Sequence, residues 1–134
     1  MKLIPLYLGT AITFFIVDML WLGLIAKNLY RDNLKSLLAE DFNRIAAFSF
    51  YALFIVGILI FAVLPALKDG NFSKALIFGA LFGFFTYATY DLTNLSTLKN
   101  WPLNLTFIDI AWGTFLTATV ASAGYFIGRL LNIS

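Results

Sequence analysis

The sequence predicts an all-α integral membrane protein: an antiparallel four-helix bundle with a short amphipathic surface helix between spans one and two. The chain is 61% hydrophobic and only 12% charged, against about 45–50% and about 25% in soluble domains. Most of its charged residues lie in short islands. Between the islands run apolar stretches of about 20 residues or more, the length that a helix needs to cross a bilayer.

In this interpretation all 134 residues form a single membrane domain. Short turns make the second and third spans, and the third and fourth, antiparallel neighbours. Positive charge is shared too evenly between the two sides to predict the orientation. We expect a multi-pass protein of the bacterial inner (cytoplasmic) membrane. The predicted spans are residues 3–26, 45–67, 74–98 and 103–131.

The first span tolerates Pro5 because an opening turn does not need the missing N–H. Residues 27–44 then carry apolar side chains at helical spacing, with charged residues largely off that stripe. This pattern is typical of a helix at the membrane surface, although a solvated loop remains an alternative. The apolar stripe consists of Tyr30, Leu34, Leu37, Leu38 and Phe42.

The second span has Pro65 near its end and is followed by the turn 68–71. The third and fourth spans are joined by the turn 99–102, which contains Trp101. We expect this tryptophan to lie in the aromatic belt at the membrane interface.

The composition excludes several classes of chemistry. The chain has no Cys and no His, which removes disulfides, thiol chemistry, and the usual haem, zinc and iron sites. We expect no cofactor and no bound metal. The nine Lys and Arg residues are scattered rather than clustered, so we expect membrane lipids and not nucleic acid as partners.

Small residues recur every four positions on the last two spans. Gly79 and Gly83 continue toward Asp91 on the third span, and Gly113 follows Asp109 on the fourth. Surfaces of this kind let helices approach closely in lipid. Gly79, Gly83 and Gly113 are therefore predicted to mediate helix packing, either inside the bundle or in a homodimer.

Three aspartates lie within the apolar spans. Asp18 precedes the end of the first span by about two helical turns, Asp91 does so in the third, and Asp109 lies at a similar depth after the start of the fourth. At 1.5 Å per residue all three lie roughly 9–12 Å from the same side. A charged side chain facing lipid has no compensation, so we expect them to face the bundle interior.

The neighbours of these aspartates are typical of a small-molecule pocket. Trp21 follows Asp18, and Trp112 follows Asp109, each on an adjacent turn of the same face. Aromatic walls with a few polar groups are the usual make-up of such a site. The alternative is that the carboxyls only join helices by hydrogen bonds. The candidate ligand-binding or proton-relay residues are Asp18, Trp21, Tyr87, Tyr90, Asp91, Asn94, Asp109 and Trp112.

Residues 18–23, 87–94, 97–102 and 109–113 together resemble a family of small, four-span bacterial membrane proteins catalogued as a domain of unknown function. The resemblance covers essentially the whole chain, and the string in the third span is its most specific part. It implies a four-span membrane fold. It implies no particular activity.

The leading functional hypothesis is a membrane-embedded pocket that binds, or binds and processes, a lipid or hydrophobic small molecule through the three aspartates. Catalysis is neither predicted nor excluded. A proton- or cation-coupled small transporter is one alternative, because intramembrane carboxyls serve as proton relays and ion sites. A structural or regulatory membrane subunit is another.

Overall fold

The computed structural model describes residues 1–38 and 43–134. The described residues are helices and connecting turns with no strand, which confirms the all-α class. Four helices are long and apolar enough to cross a membrane, and their ends differ from the predicted ones by at most two residues. They are the first span Leu3–Ile25, the second span Arg44–Asp69, the third span Phe72–Thr97 and the fourth span Leu103–Leu130.

Two spans contain a widened π-helical turn. In the second span it covers Leu59–Val63 and ends two residues before Pro65. Proline has no N–H and clashes with the carbonyl four residues earlier, so a wider turn before it lets the helix continue. The helix accordingly runs on to Asp69, beyond the predicted end at residue 67. In the first span the π turn is Trp21–Ile25, beside the candidate site.

The second and third spans are joined by a glycine-stabilised turn. Gly70 adopts a left-handed conformation with φ 61°, which a residue with a Cβ adopts only at a cost. The backbone N–H of Asn71 donates to the carbonyl of Ala66 at 3.0 Å, which satisfies the end of the helix. Lys74 forms an ion pair with Asp69 across this turn.

The third and fourth spans pack at their glycines. A Cβ added at Gly79 would lie 2.6 Å from the Cβ of Ala121, and one at Gly83 would lie 2.2 Å from the carbonyl oxygen of Gly113. Later residues of the third span contact earlier residues of the fourth, so these two helices run in opposite directions. Gly79, Gly83 and Gly113 thus lie in a contact within one chain, where this surface is already covered.

An apolar core fills the end of the bundle that carries the termini and continues through its middle. Fully buried side chains come from every span, including Leu6, Ile58, Ala75 and Val120. The outer surface carries many exposed large apolar side chains, among them Leu53, as expected for a bundle that contacts lipid. The buried carboxyls lie toward the opposite end.

The connection between the first two spans contains one short helix, Leu29–Leu34. It covers only part of the surface helix predicted for residues 27–44. Tyr30 and Leu34 turn toward the bundle, whereas Leu37 and Leu38 are exposed. Phe42, the last member of the predicted stripe, lies outside the described residues.

Trp101 differs from its prediction. Its side chain is only 9% exposed and packs with Leu34 and Leu105 instead of projecting outward as a belt residue. Its ring also meets the Tyr90 ring edge-on at 5.8 Å. The short helix Leu29–Leu34 brings apolar side chains to this end of the bundle. The Trp101 ring is buried against them and does not face the membrane interface.

Candidate functional site

Asp18, Asp91 and Asp109 line one cavity of about 400 Å³. Their exposed fractions are 6%, 1% and 7%. Asp18 and Asp91 lie near the ends of the first and third spans, and Asp109 lies near the start of the fourth. The remaining lining residues are Trp21, Leu22, Tyr30, Leu34, Phe50, Tyr51, Phe54, Thr86, Tyr87, Tyr90, Trp101, Leu105 and Trp112.

Asp109 is held by a chain of two hydrogen bonds. The Tyr30 hydroxyl donates to Asp109 Oδ1 at 2.6 Å, and the same hydroxyl oxygen accepts from Trp21 Nε1 at 3.0 Å. The chain joins the connecting segment, the fourth span and the first span. It fixes Tyr30 over the cavity and orients one oxygen of Asp109.

Asp18 is contacted from the fourth span. Trp112 Nε1 donates to Asp18 Oδ1 at 3.4 Å, a long hydrogen bond. The rings of Trp21 and Trp112 stack with centroids 4.4 Å apart and planes 8° from parallel. The Asp-x-x-Trp spacing therefore does not pair each carboxyl with the tryptophan of its own helix. Trp112 of the fourth span instead donates to Asp18 of the first. The indole of Trp21, on the first span, is connected to Asp109 of the fourth through the Tyr30 hydroxyl.

Asp91 is the most buried of the three carboxyls and the least satisfied. Neither of its oxygens has a hydrogen-bond partner among the described residues. The Asp109 carboxyl lies close enough to share a hydrogen bond with it if one of the two holds a proton. A buried polar group without a partner carries a desolvation cost, so Asp91 is the group in this cavity with the most to gain from a ligand.

Trp101 supplies a second unsatisfied group. Its Nε1–H lies buried at the cavity wall without a partner among the described residues. The cavity thus presents one unpaired donor in addition to the unpaired acceptors of Asp91.

The third span positions Tyr87 and Asp91 one turn apart. Because Gly113 has no side chain, the Tyr87 ring packs directly on the fourth span: an added Cβ at Gly113 would lie 2.1 Å from Tyr87 Cγ. The glycine contact therefore does more than bring two helices together. It makes room for an aromatic wall of the cavity.

The structure brings seven of the eight predicted site residues to the cavity wall. Asn94 is not among them; it is half-buried about one helical turn farther along the third span than Asp91. What these residues do remains a prediction.

Sequence reasoning missed several lining residues. Tyr30 was assigned to the stripe of the surface helix, and Phe50, Tyr51 and Phe54 resembled ordinary span residues. The apolar stripe that includes Tyr30 did point to this position, because an apolar face on a segment next to the site is expected to pack against the bundle. The aromatic cluster of the second span carried no polar neighbour to distinguish it.

The lining contains no Lys or Arg, although it contains three carboxyls. Among residues 1–38 and 43–134, no three acidic groups come close enough to hold one metal ion. Burial, followed by the hydrogen bond to Asp109, raises the pKa of the Tyr30 hydroxyl well above its ordinary value. Tyr30 therefore stays a neutral donor, and the cavity is rich in carboxyl groups and lined by aromatic rings.

Comparison with known proteins places this arrangement in a family. The chain matches no curated protein and no solved structure. A family model matches residues 3–126, which include every residue that lines the cavity. This match confirms the four-span resemblance and a multi-pass membrane protein, and the chain belongs to the family described as "Predicted membrane protein (DUF2177)".

Proposed function

We propose that the cavity binds a lipid or another hydrophobic small molecule. The observation that carries the proposal is the Asp91 carboxyl, 1% exposed and without a hydrogen-bond partner among residues 1–38 and 43–134, at the wall of a cavity of about 400 Å³. Small-molecule sites have volumes of about 300–1,000 Å³ and combine apolar walls with a few polar groups. A bound molecule offsets the cost of an unpartnered carboxyl that the empty bundle carries.

The walls at the first and second spans favour entry from the lipid. Leu22 and Phe50 line the cavity and are also exposed on the outside of the bundle. Ile45 and Phe48, in the preceding turns of the second span, are exposed as well. In a membrane these apolar side chains face acyl chains, so an apolar molecule reaches the cavity without crossing water.

The inner end of the cavity favours binding over a path through the protein. Phe14, which is fully buried, meets the Tyr51 and Phe54 rings with centroids 5.6 and 5.9 Å away. Beyond Phe14 lies the apolar core.

We place the protein in the bacterial inner membrane, since outer-membrane spans are β-strands of barrels.

A pair of threonines on the third span provides the test. Thr86 lines the cavity and donates to the Phe82 carbonyl at 2.7 Å, whereas Thr89 is exposed and donates to the Phe85 carbonyl at 2.6 Å. Thr86→Trp fills the cavity, and Thr89→Trp adds the same side chain on the outside.

Native mass spectrometry and solvent extraction of the purified variants give the readout. We expect the wild type and Thr89→Trp to carry the same bound molecule and Thr86→Trp to have lost it, with thermal unfolding curves showing that all three are folded. The proposal fails if the wild type carries no bound molecule, or if folded Thr86→Trp retains it.

A further inference from the structure

We infer, taking the proposed function as given, that the ligand is an organic cation: an ammonium group on an apolar body, with the ammonium held at Asp91. The inference concerns the charge of the ligand, which the proposed function leaves open.

The charge balance of the cavity wall is the first argument. Of the residues that the structure describes, three with carboxyls line it and no Lys or Arg does. Asp109 accepts from Tyr30, and Asp18 accepts from Trp112, but both oxygens of Asp91 remain without a donor among the described residues. A buried carboxylate needs a counter-charge. An ammonium supplies it together with donors or polarised C–H groups, whereas an anionic ligand supplies no counter-charge and is repelled by every ionised carboxyl of the wall.

The aromatic rings are the second argument. Nine of the 16 lining residues are aromatic, and the faces of aromatic rings attract cations, most strongly those of Trp. A carboxylate beside aromatic rings therefore favours an ammonium, alkylated or not, over a neutral group of the same shape. Among the described residues, no three acidic groups come close enough to hold one metal ion, so an organic cation fits this wall better than a metal ion does.

Trp101 gives an independent indication that a ligand belongs here. Its buried Nε1–H has no partner among the described residues, and it projects from a different element than Asp91, the turn before the fourth span. It matches a neutral acceptor, such as an ether, ester or hydroxyl oxygen, on the body of the ligand. The cavity thus has an acceptor for the head and a donor for the body.

Ammonium groups of this kind come from two sources. One is the ethanolamine or choline head of a membrane lipid, and the other is a free amphiphilic amine. Both present the same chemistry to Asp91, and the test separates them.

The experiment compares three probes of similar shape on the full-length protein in a neutral detergent: benzyltrimethylammonium, its uncharged carbon analogue neopentylbenzene, and the anion phenylmethanesulfonate. All three tryptophans of the chain line the cavity, so intrinsic tryptophan fluorescence reports binding there. We expect the cation to bind about tenfold or more tightly than the neutral analogue, and the anion to bind weakest.

Two variants locate the cation. Asp91→Asn keeps the size of the side chain and removes the charge, and we expect it to weaken cation binding about tenfold or more without changing the affinity for neopentylbenzene. Asp69→Asn removes an exposed carboxylate at the opposite end and should leave both affinities unchanged.

Lysophospholipids in mixed micelles then separate the sources. Tighter binding of lysophosphatidylethanolamine than of lysophosphatidylglycerol assigns a lipid head, whereas binding of benzyltrimethylammonium with no preference between the lipids assigns a free amine. Equal binding of the cation and its neutral analogue, or tighter binding of lysophosphatidylglycerol, overturns the inference of charge but leaves the cavity as a binding site. If no probe binds and extraction also finds no bound molecule, the proposed function fails as well.

Discussion

The Tyr30 hydroxyl lies 2.6 Å from Asp109 Oδ1, although the two residues are 79 positions apart in the chain. This bond ties the connection between the first two spans to the start of the fourth. Because Trp21 Nε1 donates to the same hydroxyl oxygen, one tyrosine coordinates the positions of three elements around the cavity.

Tyr30→Phe removes the donor to Asp109 and the acceptor of Trp21. We expect the free energy of unfolding to fall by about 2 kcal/mol, because two hydrogen bonds of about 1 kcal/mol each are lost, and the tryptophan emission to shift as Trp21 loses its partner. Tyr7→Phe is the matched control, because it removes a hydrogen bond to the Ala52 carbonyl, and Tyr7 is not a lining residue. Unchanged emission in Tyr30→Phe would contradict the hydrogen-bond chain.

The raised pKa of Tyr30 predicts how it titrates. The stabilisation that Tyr30 contributes is complete below the ordinary tyrosine pKa of about 10 and is lost progressively as the pH rises from there to the higher pKa of the folded protein. In the folded state, wild type and Tyr30→Phe should therefore gain the same tyrosinate absorbance through about pH 10. After denaturation the variant should gain less, by one tyrosine of the six in the chain. A difference already present in the folded state at that pH would argue against a buried, hydrogen-bonded Tyr30.

Asp91→Leu and Asp109→Leu should change the stability of the ligand-free protein in opposite directions. The Asp91 carboxyl accepts from no donor group in the described part of the chain, so replacing it by an apolar group should raise the free energy of unfolding by about 1–3 kcal/mol and abolish ligand binding. Asp109 accepts a hydrogen bond from Tyr30, so Asp109→Leu should lower the free energy of unfolding by a similar amount. Thermal or denaturant unfolding after delipidation measures both. Destabilisation by Asp91→Leu would instead indicate that a proton shared with Asp109 already satisfies this carboxyl.

Gly83→Ala and Gly23→Ala are a matched pair of single-methyl additions. At Gly83 the new Cβ would meet the Gly113 carbonyl at 2.2 Å, and at Gly23 it would meet nothing within 4 Å. We expect Gly83→Ala to destabilise the bundle by about 1–3 kcal/mol through overpacking. Gly23→Ala should be neutral or slightly stabilising, because alanine favours helix over glycine. Equal unfolding midpoints for the two variants would rule out the close helix contact.

Hydropathy was sufficient for the spans, whose predicted ends agree with the structure to within two residues. That Asp18, Asp91 and Asp109 lie close to one another was also predictable, because each residue of a helix advances it by about 1.5 Å and the three residues are at similar distances from neighbouring span ends. The glycines of the third and fourth spans were recognisable from their spacing of four, although spacing alone did not distinguish packing within the chain from packing between chains.

The composition of the cavity wall was not predictable to the same extent. Phe50, Tyr51 and Phe54 line it, Asn94 does not, and Trp101 is buried where an interfacial position was expected. The pairing of Trp112 with Asp18 rather than with Asp109 of its own helix was also invisible in the Asp-x-x-Trp spacing.

These differences have one physical origin. The length and depth of a span follow from the chain alone, because crossing the hydrocarbon requires a continuous apolar helix with a known rise. The rotation of that helix about its axis does not follow from the sequence alone. Lipid and core are both apolar, so an aromatic residue such as Phe54 can face either. Steric fit determines this rotation. Gly83 and Gly113 allow the third and fourth spans to meet, and the Tyr87 ring packs against Gly113. The other helices enclose the carboxyls, for which lipid exposure would be costly.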